Sequence, residues 1–244
     1  YIGQITNGDN NIKNIFGGNV MKIGIIGAIE AEISLYLDKL ENRKDSEFIK
    51  RTFHEGTFLG KEVVIVAAGM GKVNAAAGAM ALINNYNADF IIVSGVAGGI
   101  DKSLHIGDTV IADKVYYHDL DSMVFEDHPK VSGGYFVPDE KISCLLYETP
   151  ETHVGKVVKG TMVTGDVFIE QEGREDIINR FSPMCTDMET AAIAHICNLC
   201  DVPFAAVRSM SDTEEESGHN AFETNCKKAS ESSYLTVENM FMKM

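Results

Sequence analysis

The sequence predicts an α/β fold, with a sheet covered by helices on both faces. Strand-like and helix-like segments alternate along the chain. The strand-like segments are near-continuous apolar runs, as strands buried on both faces require. Gly-rich or polar segments recur just past them, where such sheets place their ligands.

Residues 22–28 (KIGIIGA) form a β-branched run ending in Gly-Ala, and a helical pattern follows over 29–40. Residues 58–68 read as a hairpin turning at Leu59-Gly60-Lys61-Glu62. AGMGK then leads into an Ala-rich helix over 73–86, and 88–93 is a buried strand ending in SGVAGG. Residues 108–117 and 157–163 are further strands, the second followed by TGDVFI. A helix follows Glu189, a strand spans 204–208, and 209–212 (SMSD) read as a loop. The last 25 residues carry the spacing of an amphipathic helix. No linker or repeat interrupts 21–244, so a single domain is expected there. Residues 1–20, Asn- and Gly-rich with neither a basic start nor an apolar stretch, read as an extension rather than a signal peptide.

With 36 acidic against 21 basic residues, the formal charge is −15. Such a surface repels phosphate polymers and anionic lipid, which argues against nucleic-acid or membrane partners and for small-molecule chemistry. No apolar run approaches the ~20 residues of a membrane span. Five cysteines without a framework spacing suit a reducing, cytoplasmic setting. Cys197 and Cys200 form the only CxxC; a tetrahedral zinc site needs four ligands, so they read as structural thiols and no metal or cofactor is expected.

Glu32, Glu189 and Asp212 each fall just past a strand end. Singly, Glu32 and Glu189 read as first-turn acids answering a helix dipole, and Asp212 as an N-cap. Their shared placement makes a common site an equal reading. A dinucleotide site is excluded, because GIIGAIEAE lacks the GxGxxG spacing.

MKIGIIGAIEAE (21–32), GMGKVNAA (69–76), SGVAGGI (94–100), IGDTVIAD (106–113), YHDLD (117–121), TGDVFI (164–169), DMETAAIAHIC (187–197) and VRSMSD (207–212) carry a resemblance. In that order they resemble the nucleoside phosphorylase/hydrolase superfamily, most closely its 5′-methylthioadenosine/S-adenosylhomocysteine nucleosidases. The resemblance implies a three-layer αβα sandwich around a central mixed, largely parallel twisted sheet. It implies that Glu32 orients or deprotonates the attacking water, and that Asp212 protonates N7 of the departing adenine. It places Glu189, beside the backbone of Met188, on the ribose hydroxyls, and Arg208 near the water. Phe168 would stack on adenine while the backbone of Ile169 pairs with its edge. Gly98 and Ser211 would also meet substrate, and Ile29, Met70 and Phe222 would contact the alkylthio tail. Phe125 would be lent to the pocket of a partner subunit in a homodimer.

Departures from the family pattern fall at Val96, where a small polar residue is common, and in the short segment 126–134. A phosphorylase would need cationic groups near the first two glycine-containing loops. GAIEAEIS and FIIVSGVAGG carry neither Arg nor Lys, so water is the expected nucleophile. Another purine nucleosidase or phosphorylase is the alternative enzyme, and a non-catalytic nucleoside-binding or storage protein the alternative class. A binder has no need of an acid at N7.

Overall fold

The structure, a computed structural model, describes residues 21–126, 131, 133–148, 155–170 and 172–244. The expected extension over 1–20 lies outside these residues, as does much of the short segment 126–134.

Among the described residues ten strands build one mixed sheet. They are β1 (Ile23–Gly27), β2 (Glu41–Phe48), β3 (Arg51–Phe58), β4 (Lys61–Ala67), β5 (Phe90–Gly99), β6 (Thr109–Tyr117), β7 (Tyr135–Phe136), β8 (Val157–Thr164), β9 (Cys185–Asp187) and β10 (Phe204–Asp212). The helices are α1 (Glu30–Asp38), α2 (Lys72–Asn84), α3 (Glu140–Tyr147), α4 (Arg174–Phe181), α5 (Thr190–Leu199) and α6 (His219–Lys243). Strands β4, β1, β5 and β10 run parallel side by side. Beyond them β5, β9, β8, β6 and β10 pair round into a closed ring, β5–β9 and β10–β6 being antiparallel.

Strand periodicity distributes the core. Ile23 and Ile25 of β1 face one apolar layer with Tyr36 of α1 and Tyr234 and Phe241 of α6. Ile26 faces the other, with Ala75 and Leu82 of α2 and Ala191 and Ile193 of α5. Both faces are therefore covered, giving the expected three layers. Cys197 lies buried in α5, and all five thiols are free.

Three local details differ from the sequence reading. The hairpin turn is only Leu59-Gly60, both at positive φ (48° and 78°), the conformation of a two-residue turn that continues the strand twist. Residues 209–212 are the end of β10, not a loop. Met210 and Asp212 still pair with Ala97 and Gly98 of β5 across a bulge, and Ser209 Oγ is satisfied by Thr109 Oγ1 at 2.7 Å. Strand β2 is exposed along its whole length and hides no apolar pattern, so nothing in its residues announced it. Its charges suit a sheet edge that must not recruit another strand.

Candidate active site

A cavity of about 410 Å³ opens where β1, β5, β9 and β10 end. Ile29, Glu32, Met70, Gly98, Phe168 and Ile169 line it from one set of segments. Met188, Glu189, Ser211, Asp212 and Phe222 line it from the other. These chain ends converge here because parallel strands deliver their carboxyl termini to one rim.

Glu32 sits in the first turn of α1, 2 % exposed. Its Oε2 accepts from the backbone N–H groups of Ala28 and Ile29, the latter at 3.1 Å, so the dipole-answering role is real. Its Oε1 accepts from Val96 N–H at 2.8 Å and reaches Arg208 Nη1 at 3.5 Å. At Val96 the backbone does supply the hydrogen bond. Gly95 makes this geometry possible, since a Cβ there would fall 2.2 Å from Glu32 Oε1.

Arg208 does not line the cavity; it lies behind the wall, 1 % exposed. Its Nε is 3.0 Å from Asp187 Oδ2, its Nη2 donates to Glu189 Oε2 at 3.2 Å, and its Nη1 donates to the Val96 carbonyl at 3.1 Å. One guanidinium thus serves Glu32, Asp187 and Glu189. The three carboxylates outweigh the effect of burial and hold Arg208 above its ordinary value. Glu189 is pushed up to about 7, chiefly by burial and further by Asp187 and Glu32, with Arg208 and the Gly71 N–H opposing. Asp187 caps α5, accepting from Glu189 N–H at 3.2 Å and Thr190 N–H at 3.1 Å. Asp187 therefore joins the cap of α5 to the buried Arg208.

At the opposite end Ser211 Oγ donates to Asp212 Oδ1 at 2.9 Å. Burial holds the Asp212 carboxyl above the usual carboxylate range, while Ser211 and Arg174 pull it down. Phe168 stacks on His219 (centroids 4.6 Å, 21°) and meets Phe222 edge-on at 6.5 Å. His219 and Glu223 line the cavity but escaped the sequence reading. The signal for His219 was helical spacing, three residues before the singled-out Phe222, and Glu223 stands four residues after His219.

Within its own chain Phe125 is a core residue. It is 7 % exposed and packs against Tyr117, Phe136 and His195 within its own chain, away from the cavity. A ring with that apolar surround gains more from the core than from solvent. Its neighbours Met123 and Val124 are the exposed residues, at 64 % and 53 %.

The phosphorylase superfamily model matches residues 22–241. A 5′-methylthioadenosine/S-adenosylhomocysteine nucleosidase of Halalkalibacterium halodurans is 39 % identical over 197 residues, covering 78 % of this chain and 85 % of that protein. The chain belongs to the phosphorylase superfamily, among its 5′-methylthioadenosine/S-adenosylhomocysteine nucleosidases. The crystal structure of such a nucleosidase from Colwellia psychrerythraea, in complex with adenine, superposes with a TM-score of 0.84 at 34 % identity, over 92 % of this chain and 96 % of that one. The Neisseria meningitidis nucleosidase in complex with methylthio-immucillin-A gives 0.84 at 31 % identity, over 91 % and 99 %. For this superfamily member, the mixed sheet with helices on both faces is therefore the family fold.

Proposed function

We propose that this nucleosidase hydrolyses the N-glycosidic bond of 5′-methylthioadenosine and S-adenosylhomocysteine, releasing adenine and the 5-thioribose. One observation carries the reading. Glu32, Glu189 and Asp212 face a single cavity, and among the described residues no lysine or arginine lines it.

Glycosidic cleavage builds positive charge on the ribose and negative charge on the purine. Asp212, kept above the carboxylate range by burial, carries the proton that N7 takes as the bond to C1′ breaks. Glu189 receives the ribose hydroxyls, each charge-assisted bond contributing roughly 1.5–3 kcal/mol. Glu32, its direction fixed by three backbone N–H groups, takes the proton of the water that adds to C1′. Arg208 holds Glu32 and Glu189 at a fixed spacing rather than contacting substrate. Phe168 offers its ring to the purine, with the backbone of Ile169 and nearby Gly98 and Ser211 at its edge. Met70, Ile29 and Phe222 supply the apolar surface that a thioether tail needs, Met70 through a polarizable sulfur.

The functional unit is a homodimer in this reading. Met70 and Val167 at the cavity, and Val73, Met123 and Val124 in the segments after Met70 and Tyr117, are large apolar side chains more than half exposed, surface that a second subunit would cover. With Phe125 committed to its own core, Met123 and Val124 are the residues of that segment offered to a neighbour. No helix among the described residues is long and apolar enough to cross a membrane, and five free thiols support a cytoplasmic setting.

The deciding experiment is adenine release from methylthioadenosine in phosphate-free buffer. Absence of free adenine under conditions where the ligand binds would leave a nucleoside-binding protein instead.

A further inference from the structure

Arg174, the first residue of α4, is 6 % exposed and ion-pairs with no carboxylate among the described residues. Its Nη2 donates to the carbonyls of Gly99 at 2.6 Å and Ile100 at 3.3 Å, and its Nε has no partner among the described residues. Burying a guanidinium against two carbonyls alone is costly, since its charge is desolvated and one N–H is left unmade. A neutral amide could hold the same carbonyls without that cost. The charge itself therefore has a use.

Two carboxylates act on Arg174 from a distance, Glu214 and then Asp212, and of the two only Asp212 lines the cavity. The strand end gripped by Arg174 is the one packed on that residue: a Cβ on Gly98 would lie 2.9 Å from Asp212 Oδ2, and one on Gly99 3.4 Å from the Asp212 carbonyl. The other groups facing Asp212 are few. Ser211 of β10 donates to it, Glu170 of the loop after β8 opposes its charge, and His219 of α6 favours it. Gly98 of β5 packs on the carboxyl and carries no charge. Glu214, which also acts on Arg174, is engaged by Lys102 at 3.6 Å.

We propose that Arg174 is a positioning residue for the purine acid: it pins the end of β5 against Asp212 and brings a fixed positive charge to that strand end. The proposal rests on the acid role given to Asp212 above. Burial alone would make that carboxyl hold its proton too firmly, and the neighbouring cation makes the proton transferable to N7. Arg174 also follows directly on the loop bearing Phe168 and Ile169. One side chain therefore couples the seating of the purine loop to the readiness of the acid.

The test is a ¹³C NMR titration of the Asp212 carboxyl, its signal assigned by loss in D212N, in the full chain. In R174Q the midpoint should rise by at least ~0.5 pH unit, as loss of a nearby opposite charge requires, and in R174K it should stay near the wild-type value. R174M, which keeps the buried stem's bulk, serves in the same way if R174Q does not fold. The alkaline limb of kcat/KM for methylthioadenosine should move with the midpoint. An unmoved midpoint in a folded, charge-free variant overturns the proposal and leaves Arg174 as a mechanical latch. Full activity in D212N would instead overturn the acid role, and the NMR midpoint would still report on Arg174 separately.

Discussion

The backbone N–H of Gly71 donates to Glu189 Oε1 at 2.9 Å, so the N-cap of α2 and the N-cap of α5 meet at one carboxylate. Two helix N-termini favour an anion there. Yet Glu189 is raised from 4.5 to about 7, because burial and the carboxylates of Asp187 and Glu32 prevail. A group raised on folding binds more protons in the folded than in the unfolded chain. Between about pH 4.5 and 7 stability therefore falls as pH rises. Glu189→Gln should remove that slope and, at pH 7.5, stabilise the protein by on the order of 1–2 kcal/mol, part of the gain being lost with the Arg208 bond. Turnover should drop by at least ~10-fold through loss of the ribose contacts. Thermal melts across pH 5–8 on both proteins decide it; an unchanged slope refutes the burden assigned to Glu189.

Asp212→Asn keeps the shape and the Ser211 contact but removes the transferable proton. Ligand binding should survive while kcat falls by at least ~10². Binding of a non-hydrolysable adenosine thioether, measured beside kcat, separates the two effects. A variant retaining half its activity would remove Asp212 from the acid role.

Gly95→Ala tests why glycine stands next to Val96. Its Cβ would lie 2.2 Å from Glu32 Oε1 and 2.7 Å from Arg208 Nη1, and Glu32 is pinned by backbone donors on both oxygens. The collision should displace Glu32 and cost at least ~10² in kcat, comparable with Glu32→Gln, which removes the base outright. Near-normal kcat in a folded Gly95→Ala protein would show that Glu32 can move without penalty, and so is no precise base.

That glycine also marks the limit of sequence reading. SGVAGG was legible as a pocket segment, but its glycines suggest room for a ligand, whereas Gly95 makes room for Glu32. The parallel strands β1, β5 and β10 were legible because both their faces are buried and their apolar runs unbroken. Strand β2 was not, since its eight residues satisfy only an exposed edge. Glu32, Glu189 and Asp212 were legible by position. Arg174 was not: its partners are the carbonyls of Gly99 and Ile100, 75 and 74 residues away, and backbone acceptors leave no trace in residue types. Phe125 shows the converse limit of sequence reading. Its motif is shared with the family, while its burial depends on Tyr117, Phe136 and His195.

Phosphate supplies the last prediction. A phosphorylase would hold a phosphate dianion where water attacks, by several charge-assisted bonds from fixed cations. Here that place is bounded by Glu32, and the guanidinium behind it, Arg208, is already shared among Glu32, Asp187 and Glu189. Lys72, near the rim, is engaged by both oxygens of Asp119 at 2.8 Å. A dianion entering would meet an excess of negative charge, and among the described residues no lysine or arginine lines the cavity to receive it. Tens of millimolar phosphate, on the order of what saturates such a site at ordinary KM values, should therefore neither speed adenine release nor enter the product. Mass spectrometry should find free 5-methylthioribose. Methylthioribose 1-phosphate as the main product would mean that a cation reaches the site in the assembled protein, and the reaction would be phosphorolysis.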